Sequence, residues 1–343
     1  MAERSQFPPS NRGETVQNLY KGSFGVPAKM DTIGLSFPIE KAILEPETAA
    51  VCYTKAGEEW RYRRHLPSGG VISWGLAERA WVEASLPKRL SGENIGGLEI
   101  ENVGGVLEDL WGEASEVVEP SGKLGEAKIT RLDLVRDFDD VGSLTELAMG
   151  LSRVKQPGRA LVSVVHDGDL SGALTLRIGT KTSWLGRTYD KHHETKGQAP
   201  VGRVRFEAQL RKEALQSVWA KDLGKVLRYA GHLEEVDARL TAAALTRGMW
   251  ERCGMDRKVC SSSKAAKVIG GARGLSEAEK YGLLGYLTGR AAGWSCHLHR
   301  HTVRKYEKLA KGLGIVMQAA DVETLAYSVR LDFDSGREVL EVG

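Results

Sequence analysis

Lys128-Ile129-Thr130-Arg131-Leu132-Asp133-Leu134-Val135-Arg136-Asp137-Phe138 reads as a strand with two chemically different faces. Successive side chains of a strand point to opposite sides. Thr130, Leu132, Leu134 and Phe138 therefore share one face, suited to burial under helices. Arg131, Asp133 and Asp137 share the other, between Ile129 and Val135. Residues 203–210 repeat the arrangement, with Val204, Phe206, Ala208 and Leu210 set against Arg203, Arg205, Glu207 and Gln209. Two strands with apolar backs and carboxylate–arginine fronts predict an α+β protein, an antiparallel sheet flanked by helices.

Working outward, alternation begins at Met30, where Ile33, Leu35 and Phe37 mark a half-buried strand. Further strands are expected over 49–54, 59–63, 97–103, 161–166 and 173–179, and helices over 74–86, 143–154 and 213–230. Past about residue 216 strand signals thin, and 233–247, 276–288 and 301–313 read as helices. Ser276 with Glu279 three residues on forms a capping box for the second of these. The expected organisation is a disordered polar leader over 1–29, a sheet domain over 30–215 and a mainly helical domain over 216–343.

Composition narrows the class of protein. The 343 residues are 41% hydrophobic and 27% charged, as in an ordinary globular chain. No apolar run reaches the roughly 18 residues of a membrane span, so no membrane role is expected. The early residues lack the apolar core of a secretory signal. The four cysteines are few, which points to a reduced, cytoplasmic setting. The net charge of +3 is unevenly spread: six Lys/Arg face one Glu between Arg290 and Lys311, while the tail from Asp321 carries six acids and two arginines. Local positive patches on a near-neutral chain suit a polyanion, although a solvated helix face has the same appearance.

Gly186-Arg187-Thr188-Tyr189-Asp190-Lys191-His192-His193-Glu194 sets one tyrosine beside a lysine, two histidines and a carboxylate. A tyrosine hydroxyl ionises near pH 10, so as a nucleophile it needs a cation or a base beside it. In a strand Tyr189 shares a face with Lys191 and His193; in a helix it shares one with His192 and His193. Asp133 and Glu207, each on the polar side of its strand, are oxygen donors suited to Mg²⁺ or Mn²⁺. An open antiparallel sheet also leaves such a face to water, with its acids and arginines in surface ion pairs.

Three of these motifs together resemble a family, the gene II replication initiators of filamentous phages and related rolling-circle plasmid proteins. That family shows an Arg-x-Asp strand, a Tyr-x-Lys-His-x-Glu segment, then Val-Arg-Phe-Glu-Ala-Arg. The chain carries Arg131-Leu132-Asp133, then Tyr189-Asp190-Lys191-His192-His193-Glu194, then Val204-Arg205-Phe206-Glu207-Ala208-Gln209, departing only at Gln209. The likeness runs over roughly 30–315.

The resemblance implies that the sheet domain is a nicking-joining endonuclease. Tyr189 would attack one phosphodiester at a replication origin and become linked to the 5′-phosphate, freeing a 3′-hydroxyl. Host polymerase would extend that end, with a host helicase opening the duplex. Lys191 and His192 are then assigned to phosphate contact or proton transfer, and Asp133, Glu207 and Glu194 to a divalent metal. Arg131 and Arg205 are assigned to DNA contact. So are Arg304, Lys305 and Lys308, which recur at helical spacing opposite Val303, Tyr306 and Leu309.

Two rival readings remain. His297-Leu298-His299-Arg300-His301-Thr302 resembles the His-x-x-Arg-His box of tyrosine recombinases, with Tyr327 downstream as the nucleophile. Alternatively the chain is a non-catalytic origin-binding protein or repressor in which Tyr189 is structural.

Overall fold

The computed structural model describes residues 29–54, 57–75, 78–142, 144–152, 161–166, 174–180, 183–215, 228–234, 238–260, 262–291, 298–317, 327–335 and 337–342. The expected leader, apart from residue 29, lies outside the described residues.

The main body is one antiparallel sheet. Its strands are β1 (Lys29–Ala42), β2 (Thr48–Thr54), β3 (Gly57–His65), β4 (Val71–Gly75), β5 (Arg79–Ser85), β6 (Leu98–Glu99) and β7 (Val118–Pro120). They continue with β8 (Lys128–Phe138), β9 (Leu161–His166), β10 (Leu174–Gly179), β11 (Trp184–Asp190) and β12 (Val204–Arg211). The order across the sheet is β2-β3-β4-β5-β1-β8-β12-β11-β10-β9, with β6 and β7 paired to β1. Strands β8 and β12 thus lie side by side at the centre, as their matching two-faced patterns anticipate. Their register sets Asp137 against Arg205, Val135 against Glu207 and Asp133 against Gln209.

The apolar face is the larger core. Leu132, Leu134 and Phe138 of β8, and Val204, Phe206, Ala208 and Leu210 of β12, are buried. Helices α1 (Leu86–Ser91), α2 (Val103–Val117) and α3 (Leu144–Leu151) contribute Leu86, Leu107, Leu110, Leu147 and Leu151 to the same core. Two one-turn helices, α4 (Lys191–Glu194) and α5 (Lys212–Leu215), close the ends of β11 and β12. Helix α6 (Ala238–Arg252), beyond the expected boundary near 216, also packs on this sheet. Its Trp250 ring stacks on Phe138 at 4.9 Å and meets Phe206 edge-on at 5.2 Å. A Cβ on Gly186 would stand 2.4 Å from Cys253 Sγ, so the bare glycine is what admits this helix.

The C-terminal part is less purely helical than expected. Helices α7 (Ser262–Gly270), α8 (Glu277–Ala291) and α9 (Arg300–Gly312) build a small second core from Ile269, Leu283, Tyr286, Leu287 and Ala310. With them stands a four-stranded mixed sheet of β13 (Lys258–Cys260), β14 (Ile315–Met317), β15 (Tyr327–Asp332) and β16 (Arg337–Val342). Its short strands gain pairing from distant partners, which local pattern does not reveal. The Ser276 capping box forms, with Ser276 N donating to Glu279 Oε2 at 3.0 Å and Glu279 N to Ser276 Oγ at 3.3 Å.

Two segments differ in type from expectation. Residues 74–86 are chiefly strand, because Ala80, Val82 and Ala84 are buried at period two. Residues 97–103 give only β6 and a turn into α2, whose Val103, Val106, Leu107, Leu110, Ala114 and Val117 follow helical spacing.

Candidate functional site: a largely buried polar face around Tyr189

The polar face of the central strands is largely withdrawn from water. Tyr189 is 5% exposed, Asp133 1%, Glu207 2% and Arg205 0%. Ionisable groups withdrawn from water must be partnered, because an isolated buried charge is costly. Their bonds therefore define the site.

Strands β11 and β12 place Tyr189 opposite Arg205 and Arg187 opposite Glu207. Glu207 accepts from four donor–acceptor contacts: Tyr189 Oη at 3.2 Å, Arg187 Nη1 at 3.2 and 3.3 Å, and Gln209 Nε2 at 2.6 Å. The Arg187 guanidinium lies 5.0 Å from the centre of the Tyr189 ring, and Lys191 Nζ lies 5.7 Å from it. Burial lifts the Tyr189 hydroxyl well above its ordinary range; the Glu207 charge adds to this, and Arg205 and Arg187 oppose it.

Asp133 accepts from Arg131 Nε at 3.0 and 3.1 Å, and Gln209 Nε2 stands 3.4 Å away. Arg131 also pairs with Glu83. Gly34 makes room for this pair, since a Cβ there would sit 2.9 Å from Arg131 Cβ. Burial raises the Asp133 carboxyl to about 7, with the Arg131 hydrogen bond working against it and Glu207 reinforcing it.

Arg205, expected to touch DNA, is committed inside the protein. Its Nε and Nη2 hold Asp137 at 2.6 and 2.9 Å, Nη1 reaches Asp31 at 3.2 Å, and Nη2 also donates to the Ile95 carbonyl at 2.8 Å. A guanidinium so enclosed has no donor facing a phosphate. Arg131, by contrast, retains partial exposure.

The short helix α4 orders the groups after Tyr189. Asp190 caps it, accepting from His193 N at 3.0 Å. Lys191 is drawn inward and donates to Glu194 at 2.8 Å; burial lowers its ammonium, with Arg205 adding to that and Glu194 opposing it. The resemblance assigns His192 to phosphate contact or proton transfer. Its Nδ1 instead meets the Ala199 carbonyl at 2.6 Å, so its ring belongs to its own turn. The partners that Tyr189 does have, Glu207 and Arg187, come from strand pairing.

Asp31 is the group that sequence reading missed. Simple alternation puts it on the apolar face with Ile33 and Leu35. The β1–β8 register slips between Met30 and Thr32, and this bulge turns the Asp31 carboxylate to Arg205. Burial raises the Asp31 carboxyl, with Arg205 opposing and Glu207 adding to the rise.

The expected metal set does not assemble. Glu194 is taken by Lys191, its neighbour on the same helical turn. Among the described residues no three His, Cys, Asp or Glu side chains stand together as a metal cage. The Asp133 and Glu207 oxygens suit a hard cation, but Arg131, Arg187, Gln209 and Tyr189 already occupy them. As arranged, these donors do not fit Mg²⁺ or Mn²⁺.

Elsewhere, Arg304, Lys305 and Lys308 are exposed on α9, with Lys305 paired to Glu279 at 2.8 Å. Of the recombinase-like box, His297 lies outside the described residues. Arg300 and His301 begin α9, and Tyr327 begins β15. No helix among the described residues is long and apolar enough to cross a membrane.

No family model and no curated protein matches the chain. Among solved structures, a rolling circle replication initiator protein from Geobacillus stearothermophilus is similar over 59% of this chain and 79% of its own, at 15% identity and a TM-score of 0.31. A likeness at that score assigns neither fold nor activity.

Proposed function

We propose that this chain is a rolling-circle replication initiator that nicks and rejoins origin DNA through Tyr189. The observation that carries the reading is the Tyr189 hydroxyl hydrogen-bonded to Glu207, with the cations of Arg187 and Lys191 against its ring. The three ordered sequence motifs converge on this one face.

The reaction is an in-line transfer. The Tyr189 Oη–phosphorus bond forms as the P–O3′ bond breaks, the Tyr189 proton passes to Glu207, and the departing 3′-oxygen takes a proton from water. Burial and the Glu207 charge disfavour a free tyrosinate, so the proton leaves as the bond to phosphorus forms. The phosphotyrosine conserves the energy of the phosphodiester, so rejoining needs no ATP. The 3′-hydroxyl is the primer for host polymerase, and a host helicase opens the duplex ahead of it in the bacterial cytoplasm. Helix α9 supplies duplex contacts through Arg304, Lys305 and Lys308.

One observation favours a second reading. Tyr189 is almost fully buried, as a structural tyrosine would be. In a non-catalytic origin-binding protein it would simply satisfy Glu207.

The test is cleavage of the replicon's own DNA, supercoiled and single-stranded, by wild type and Tyr189→Phe, with Mg²⁺ and with EDTA, and mass mapping of any adduct. A 5′-phosphate on Tyr189, absent from Tyr189→Phe, is the expected result. Binding without cleavage would leave the non-catalytic reading, and a 3′-phosphate on Tyr327 would make the chain recombinase-like. The metal arm decides whether Asp133 and Glu207 exchange their present partners for a cation.

A further inference from the structure

Arg187 and Arg177 stand directly opposite each other on β11 and β10, on the same face as Tyr189. Like charges directly opposite each other across an antiparallel pair are destabilising, and Glu207 offsets this on the Arg187 side alone. Among the described residues Arg177 has no carboxylate partner, and it is exposed. Arg187 spends Nη1 on Glu207, while its Nε is buried and has no hydrogen-bond partner among the described residues. A buried donor left unmade costs about 1–3 kcal/mol, more for a charged group. The Arg187 side chain is 28% exposed, so it reaches from the buried tyrosine to the open side of the sheet.

We propose that Arg187 and Arg177 form a phosphate-binding site for the single strand that enters at Tyr189, with Arg187 on the scissile phosphate and Arg177 on a neighbouring one. The assignment rests on the reading of Tyr189 as nucleophile and deepens it. Arg187 holds Glu207 where it accepts the tyrosine proton. Its Nη2, which makes no hydrogen bond among the described residues and is not buried as Nε is, is the donor for a non-bridging oxygen of the phosphate under attack. As the Oη–P bond forms and the P–O3′ bond breaks, charge builds on those oxygens, where a fixed guanidinium donor is most effective. Arg177, outermost of the two, neutralises the next phosphate along the strand.

A charge-deletion cycle at the nick position mapped with wild type tests this through binding alone. In a Tyr189→Phe background, affinity is measured for a single-stranded oligonucleotide of the replicon whose phosphodiesters are replaced one at a time by neutral methylphosphonate. At the nick position, replacement should weaken binding about tenfold with Arg187 present and less than about twofold in Arg187→Ala, the scale of one charge-assisted bond. Arg177→Ala should lower the slope of log affinity against log salt by about 0.7, one single-strand phosphate contact. Arg187→Lys keeps a cation on Glu207 if the alanine variant does not fold, and should leave a coupling of at most a few-fold, since an ammonium has no second nitrogen to offer. Equal losses with and without Arg187, coupling only at a linkage other than the nick, or an unchanged salt slope in Arg177→Ala would overturn the site. Wild-type nicking with no such coupling rejects this site alone, whereas absence of any nick rejects the nucleophile reading.

Discussion

The Tyr189 hydroxyl donates to Glu207 Oε2 across the β11–β12 pair, two residues along from the direct Arg187–Glu207 opposition. A diagonal contact of this kind is within reach of long side chains on one face of a sheet. It makes the carboxylate common to a phenol and a guanidinium, and Gln209 holds it from the other side. The Tyr189 hydroxyl therefore has its hydrogen-bond acceptor within the protein itself.

Glu207→Gln should leave a folded protein with little catalysis. The amide keeps the shape but cannot take the phenolic proton, and its own N–H groups meet the donors of Arg187 and Gln209. Adduct formation should fall about 10²–10⁴-fold, the usual contribution of a positioned base. Single-turnover formation of the covalent DNA complex is the measurement, and an unchanged rate would remove Glu207 from the proton path.

Arg205→Ala should damage stability far more than DNA affinity. It would leave the buried Asp31 and the partly buried Asp137 carboxylates without their cation, at a cost of about 3–5 kcal/mol. Urea denaturation should show that loss. The salt slope of DNA binding, measured where the variant is still folded, should match wild type.

The pH dependence of stability follows from Asp133. Its folded pKa is raised by burial to about 7, above its value in the unfolded chain. Between roughly pH 4 and 7 the native state therefore binds more protons than the unfolded state, so stability from this group is full below about pH 4 and is lost as pH rises through 7. Asp133→Asn removes the titration and should flatten the fall in thermal midpoint across that window. A variant that keeps the wild-type slope would place the titration on another group.

On α9, Arg304→Ala and Lys308→Ala should weaken duplex binding nearly uniformly across sequences, each lowering the salt slope by about one. Adduct formation on a short single strand should be untouched. A change confined to one DNA sequence would instead indicate base contacts.

Much of the centre of this fold is written locally. Alternation along 128–138 and 203–210 assigns Asp133 and Glu207 to polar faces and Leu134 and Phe206 to apolar ones, and those segments are the paired central strands β8 and β12. The helix over 300–312, with its basic outer face, is legible for the same reason: a periodicity of side chains needs no knowledge of distant partners. Short strands such as β13 and β14 are not, because pairing rather than pattern makes them strands.

Within the site the division is equally physical. Residue types and spacing single out Tyr189, Lys191, Asp133 and Glu207. That Asp31 joins them depends on a one-residue slip against β8, which alternation alone assigns to the wrong face. That Arg187 and not His192 attends Tyr189 depends on the β11–β12 register and on a turn that takes His192 for its own carbonyl. That Arg205 is an internal strut depends on which carboxylates the folded chain brings around it. Register and burial are properties of the assembled sheet: they are set by contacts far apart in the chain, and they turn a list of chemically able residues into a site.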